Sequence, residues 1–148
     1  MTADVETAVK VAVYQYFAAA ARAPTPAETA TIVGVTVPAV IDAYRSLRSQ
    51  RVLFLEPDGE TIRMAPPFSA VPTEHTVLVG GREYSANCAW DALGIVAALG
   101  EDGVVRSRCA ESGAPLILQV GPGGPAPSDW VFHSLVPAAH WWDDLVFT

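Results

Sequence analysis

The chain of 148 residues is 51% hydrophobic and 17% charged, and its formal net charge is −7 at pH 7. This apolar content excludes a disordered chain and is enough to bury a core. An acidic chain with one lysine lacks the phosphate-neutralising charge on which non-specific nucleic-acid binding depends.

Residues 4–22 carry Val5, Val9, Ala12, Val13, Tyr16 and Phe17 at the three-and-four spacing of one helix face. The longest apolar stretch, around Val9 to Ala21, is interrupted by Lys10 and Gln15, so no transmembrane helix is predicted. Asp4 and Glu6 stand where a signal peptide carries basic residues, which reads as a cytoplasmic protein. A break follows at Ala23-Pro24-Thr25-Pro26. Thr25 with Glu28 has the capping-box spacing, and Pro26 suits the first position of a second helix ending near Gly34. Thr36 caps a third helix whose face carries Val40, Ile41, Tyr44 and Leu47. Val52 to Leu55, the Pro57-Asp58-Gly59 turn and Thr61 to Met64 then read as a hairpin.

Three helices and a hairpin form a winged-helix pattern over residues 1–66. Arg45, Arg48 and Arg51 lie at i, i+3 and i+6 on the third helix, where they either face phosphates or solvate an outer face. This half is nearly charge-balanced, while residues 67–148 hold three Arg against nine acids. No basic field supports docking, so DNA is not an expected partner.

Pro66-Pro67 marks a boundary, extended by Val71-Pro72-Thr73. His75 to Val79, the Gly80-Gly81 turn and Arg82 to Ser85 predict a second hairpin. Residues 89–99 predict a mostly buried helix carrying Ala89, Trp90, Ala92, Leu93, Ile95, Val96 and Leu99 and stopped by Gly100. Val104 to Cys109 and Pro115 to Val120 predict strands around a Glu111-Ser112-Gly113 turn. Gly121 to Pro127 reads as a loop, Trp130 to Val136 as a strand, and Ala138 to Thr148 as a short turn or helix with a last strand at Leu145 to Phe147. The fold class predicted is α+β: a winged-helix-like unit over 1–66, then a small mixed or antiparallel sheet domain with one buried helix over 67–148.

The most informative segment is Asn87-Cys88-Ala89-Trp90-Asp91-Ala92-Leu93. Cys88 falls where a strand hands over to a helix. Unpaired N–H groups and the helix dipole there are expected to lower its pKa toward the thiolate. Asp91, three residues on, lies on the same side of the first turn. The plainer reading makes Cys88 a small core residue and Asp91 a partner of the dipole. Two cysteines, Cys88 and Cys109, do not make a disulfide framework.

With Pro72-Thr73-Glu74-His75, Gly81-Arg82, Cys88-Ala89-x-Asp91-Ala92-Leu93 and Cys109-Ala110-x-x-Gly113-x-Pro115, the sequence resembles the organomercurial (alkylmercury) lyase family. The resemblance runs over about residues 5–120 and is most specific around Cys88. It implies a winged-helix-like unit that serves an enzyme rather than DNA, beside a mixed-sheet catalytic domain. It implies protonolysis of a carbon–mercury bond. Cys88 would bind the organomercurial as a thiolate and Asp91 would give the proton that releases the hydrocarbon, with no cofactor. The family carries a second catalytic cysteine in its C-terminal third. Residues 110–148 contain none and offer Ala138-Ala139-His140-Trp141-Trp142-Asp143-Asp144 instead. Cys109 matches a family cysteine of structural role, and Asn87 stands where the family tends to carry an aromatic. The resemblance therefore implies a diverged member, with an external thiol as the second mercury ligand.

His140 reads either as a replacement ligand beside Cys88 and Asp91 or as a partly buried histidine next to two tryptophans. Cys88, Cys109, His133 and His140 lack the short Cys-x2–4-Cys clip of a zinc site. Trp130, Trp141 and Trp142 read as core or as the wall of an apolar pocket. Three functions follow: a carbon–mercury lyase; a repurposed family member that acts on a non-mercurial small molecule or binds a soft metal or apolar ligand; and a winged-helix transcriptional regulator. The sequence carries no signal of oligomeric state.

Overall fold

In the computed structural model, which describes residues 2–144, α1 (Thr2–Ala20) buries Val9, Ala12, Val13 and Phe17, the face that the periodicity predicts. The chain divides into two units, Met1–Val71 and Pro72–Thr148. In the first, α2 (Pro26–Val33) opens on the expected capping box. The Glu28 N–H donates to Thr25 Oγ1 at 3.2 Å and the Thr25 N–H donates to Glu28 Oε2 at 2.8 Å. Gly34, with φ of 78°, ends this helix. Thr36 caps α3 (Val37–Ser49), which buries Val40, Ala43, Tyr44 and Leu47, and Thr29 and Tyr44 join their hydroxyls at 2.6 Å in the core.

β1 (Phe54–Leu55) and β2 (Ile62–Ala65) form the predicted hairpin, its turn held by Asp58 Oδ1, which accepts from the N–H groups of Glu60 and Thr61. A strand absent from the sequence reading follows. β3 (Phe68–Ser69) pairs antiparallel with β2, and Phe68 stacks on Phe17 at 5.3 Å. It lies beyond Pro66-Pro67, yet its pairing and packing put it with the first unit.

The second unit is an antiparallel sheet in the order β5, β4, β6, β7, β8, crossed on one face by a helix. β4 (His75–Val79) pairs with β5 (Arg82–Ala86) on one side and β6 (Gly103–Arg108) on the other. β7 (Pro115–Gly121) follows, and β8 (Gly124–Pro125) closes the row. Alternation sends Val77, Val79, Tyr84, Ala86, Gly103, Val105 and Ser107 to one buried face. α4 (Ala89–Leu99) packs there through Ala92, Ile95 and Val96 and ends at Gly100, φ 68°. The architecture is α+β, all its sheet ladders antiparallel among the described residues.

Three expectations change. Trp130 to Val136 is not a strand, and Val131 is 86% exposed: a β-prone run forms a strand only where a partner edge is offered. Gly121 to Pro127 is not wholly loop, because it contains β8, an edge strand on which Pro125 is tolerated. Trp90, predicted on the buried face of α4, is 54% exposed. Ala138–His140 forms a single 3-10 turn, and the strand expected at Leu145 to Phe147 lies outside the described residues. Among the described residues no helix is long and apolar enough to cross a membrane.

Candidate active site

β5 delivers the chain to α4 through Asn87, and Cys88 is the N-cap of that helix, with extended backbone at φ −146° and ψ 175°. Its Sγ takes the place of a capping oxygen and accepts the Asp91 N–H at 3.5 Å. Cys88 and Asp91 are both partly buried. The sequence places the two on one turn, and the structure brings them together.

Their ionisation departs from expectation. Burial pushes the Cys88 thiol above its ordinary value, outweighing the N–H groups of Asp91 and Trp90 that favour the thiolate; the nearby Asp91 charge pushes the same way as burial. The predicted lowering at the helix N-terminus does not occur, because desolvation of the anion dominates. Burial also raises Asp91 from its ordinary 3.8 to about 6, against the opposing hydrogen bond with Cys88. The pair is therefore a thiol and a carboxyl that exchange a hydrogen bond, with the carboxyl titrating close to neutrality.

Close to this turn in the chain lies a polar cluster whose Thr73 and His75 stand in the Pro72-Thr73-Glu74-His75 segment, read from the sequence without a role, and whose Ser107 stands in no motif. His75 is paired in register with Ala86, two residues before Cys88. Its Nδ1 is 2.6 Å from Oγ of the buried Ser107 on β6. Thr73 Oγ1 shares its one proton between the carbonyls of His75 and Ala86 and accepts the His75 N–H at 3.1 Å. Burial lowers the His75 pKa, against the Glu74 charge that raises it, and so favours the neutral imidazole. The alternation His75–Val77–Val79 was the signal that puts this ring on the helix-covered face.

Other candidates fall elsewhere. His140 is exposed and binds Asp143 Oδ2 through Nδ1 at 3.0 Å. Among the described residues no group of three or more His, Cys, Asp and Glu is arranged to hold a metal ion, so neither a Cys88–Asp91–His140 set nor the four-residue zinc set is assembled. Cys109 sits in the β6–β7 turn, where the Ser112 hydroxyl and the N–H groups of Ser112 and Glu111 lower its pKa. Trp130 is exposed, and Trp141 and Trp142 are half-buried, which excludes all three from the core. The exposed Trp90 ring lies 5.5 Å from Phe132, tilted by 49°. A concavity of about 490 Å³ lies at the other end of this sheet, lined by Gly80, Gly81, Asp102, Gly121 and Gly124 among others, with no thiol or imidazole.

The model of the alkylmercury lyase family, MerB, matches residues 68–148, more than half of the chain. This chain belongs to the alkylmercury lyase family. A solved structure, the mercury-bound form of MerB2, is similar to this family member over 84% of its length, at 22% identity and a TM-score of 0.62. That likeness shows the fold. The chain spans 66% of the MerB2 structure, just under two thirds. No curated protein matches it.

Proposed function

We propose that this alkylmercury-lyase-like chain captures an organomercurial at Cys88 and breaks its carbon–mercury bond with a proton passed through Asp91. The observation that carries the reading is the thiol–carboxyl pair on the first turn of α4, with the carboxyl raised to about 6. A soft sulfur ligand selects a soft metal. Cys88 is held as a thiol, so binding R–Hg–X must displace its proton. The S–Hg bond forms, X⁻ leaves, and the thiol proton passes to the Asp91 carboxylate. The carbon–mercury electron pair then takes that proton from Asp91, R–H departs, and the carboxylate is restored. Mercury stays on Cys88 with room for an external thiolate. A pKa near 6 suits this role, because the group both accepts and gives a proton close to neutrality. Residues 1–66, on this reading, form a winged-helix-like unit that serves the enzyme.

One observation favours a second reading. Cys88 is the one thiol of this site among the described residues, since Cys109 lies in the β6–β7 turn. A single thiolate activates the carbon less than two and leaves Hg²⁺ short of a soft ligand. Capture with slow turnover, or a task on a non-mercurial ligand, then follows.

Mass spectrometry after exposure to phenylmercuric acetate separates these readings. In a Cys109→Ser background, which removes the other free thiol, the chain should gain one phenylmercury adduct, and Cys88→Ser in that background none, because a hydroxyl is neither soft nor ionised near pH 7. Added thiol should speed benzene release. No adduct on reduced, accessible Cys88 rejects the mercurial reading in favour of the non-mercurial one. An adduct lost in Cys109→Ser instead shows the wrong cysteine was chosen.

A further inference from the structure

The described residues of the second unit hold a partly buried polar cluster that the proposed proton transfer does not use. Thr73, His75 and Ser107 come from three places in the chain: the approach to β4, β4 itself and the end of β6. They meet at the end of the sheet where β5 hands over to α4. Ser107 is shielded from water, and the His75 ring is its hydrogen-bond partner, at 2.6 Å. Thr73 bridges the His75 carbonyl to the Ala86 carbonyl, tying the first residue of β4 to the last residue of β5. Only Asn87 separates that tie from Cys88.

We propose that His75 is a positioning residue for Cys88: its ring, bonded to Ser107, fixes the start of β4, whose main chain is tied to Ala86 by Thr73 and the ladder, and so holds the end of β5 and the Cys88 Sγ in its capping place on α4. The inference deepens the proposed function and rests on Cys88 being the capturing thiol. The physical reasoning concerns backbone register. The N-cap position of Cys88 depends on an extended backbone that must turn into a helix within one residue. Across the sheet, Ala86 is held by its ladder partner His75. An apolar side chain at 75 would leave the buried Ser107 hydroxyl without its partner. Relaxation of that strand end would carry Cys88 with it. The Sγ would then lose the Asp91 N–H, one of the groups that favour the thiolate. Asn at position 75 keeps a short polar arm toward Ser107, so the clamp survives.

The test uses the full chain in a Cys109→Ser background, so that Cys88 is the one thiol read. Second-order rates of iodoacetamide alkylation and of phenylmercuric acetate capture are measured at one fixed pH, well below the thermal midpoint of each variant. His75→Leu should slow both by about 3–10-fold, and His75→Asn should restore both to within about twofold of the parent. Ser107→Ala, which removes the other half of the clamp, should fall between them. A role confined to stability would lower the thermal midpoint of His75→Leu and leave both rates at the parent value in the folded protein. Unchanged rates in His75→Leu, or Asn failing to rescue, overturn the inference. A parent that alkylates normally but captures no mercurial rejects the proposed function instead, while the alkylation series still decides the positioning role.

Discussion

Asp91 is packed into the first turn of α4 with too little water around it, and that displaced solvation has a measurable cost. Raising a carboxyl from 3.8 to about 6 corresponds to at most about 3 kcal/mol, and partial exposure reduces this to about 1–2 kcal/mol. Because the folded value is raised, the stabilising contribution is complete below about pH 4 and is lost as pH rises through about 6. Asp91→Asn removes the ionising group without changing its shape. It should match wild type in thermal midpoint near pH 4 and exceed it at pH 8, while losing hydrocarbon release. Parallel melts at the two pH values check this; an Asn variant less stable than wild type at pH 8 would mean that the ionised carboxylate has partners strong enough to outweigh its burial. The Cys88–Asp91 spacing was legible in the sequence, because i and i+3 share a side of a helix whatever surrounds it. The direction of the Cys88 shift was not, because dipole and desolvation oppose each other and only packing decides between them.

At the scale of elements, α4 must lie flat on β4 and β6 for its first turn to present the pair, and Gly103 permits that approach. A Cβ there would stand 2.9 Å from methyl groups of both Val79 and Val96 and 3.3 Å from the Leu78 carbonyl. Gly103→Ala should therefore destabilise the protein by about 1–3 kcal/mol through overpacking, visible as a lowered urea midpoint with unchanged slope. A wild-type midpoint would show that α4 shifts freely on the sheet. The helices were readable because caps, periodicity and terminal glycines agreed: Thr25 with Glu28, Thr36, Cys88 and Gly100 bracket α2, α3 and α4. The short strands were harder. β3 hid behind Pro66-Pro67, and β8 hid in a glycine-rich loop. Trp130 to Val136 had the residues of a strand and no edge to join. Thr73 stood in a motif that carried the resemblance but no role, and Ser107 in no motif; only the folded register brings them to His75.

At the scale of the molecule, the acidic net charge and the engagement of Arg45, one of the three third-helix arginines, argue against a DNA reader. The net charge is −7, and Arg45 is held by the Gly59 carbonyl at 3.2 Å and by Glu60 at 3.7 Å. Duplex DNA should not bind with sub-micromolar affinity at physiological salt. A fluorescence-anisotropy titration that found tight, salt-sensitive binding would restore the regulator. The central claim, that Asp91 passes the proton to the mercury-bound carbon, is tested most directly by single-turnover release from a preformed Cys88–phenylmercury adduct in D2O. The wild-type adduct should decay to Cys88-bound mercury with release of singly deuterated benzene. The Asp91→Asn adduct, once preformed, should release benzene about 10²–10⁴-fold more slowly. Equal release rates from the two adducts would contradict the account.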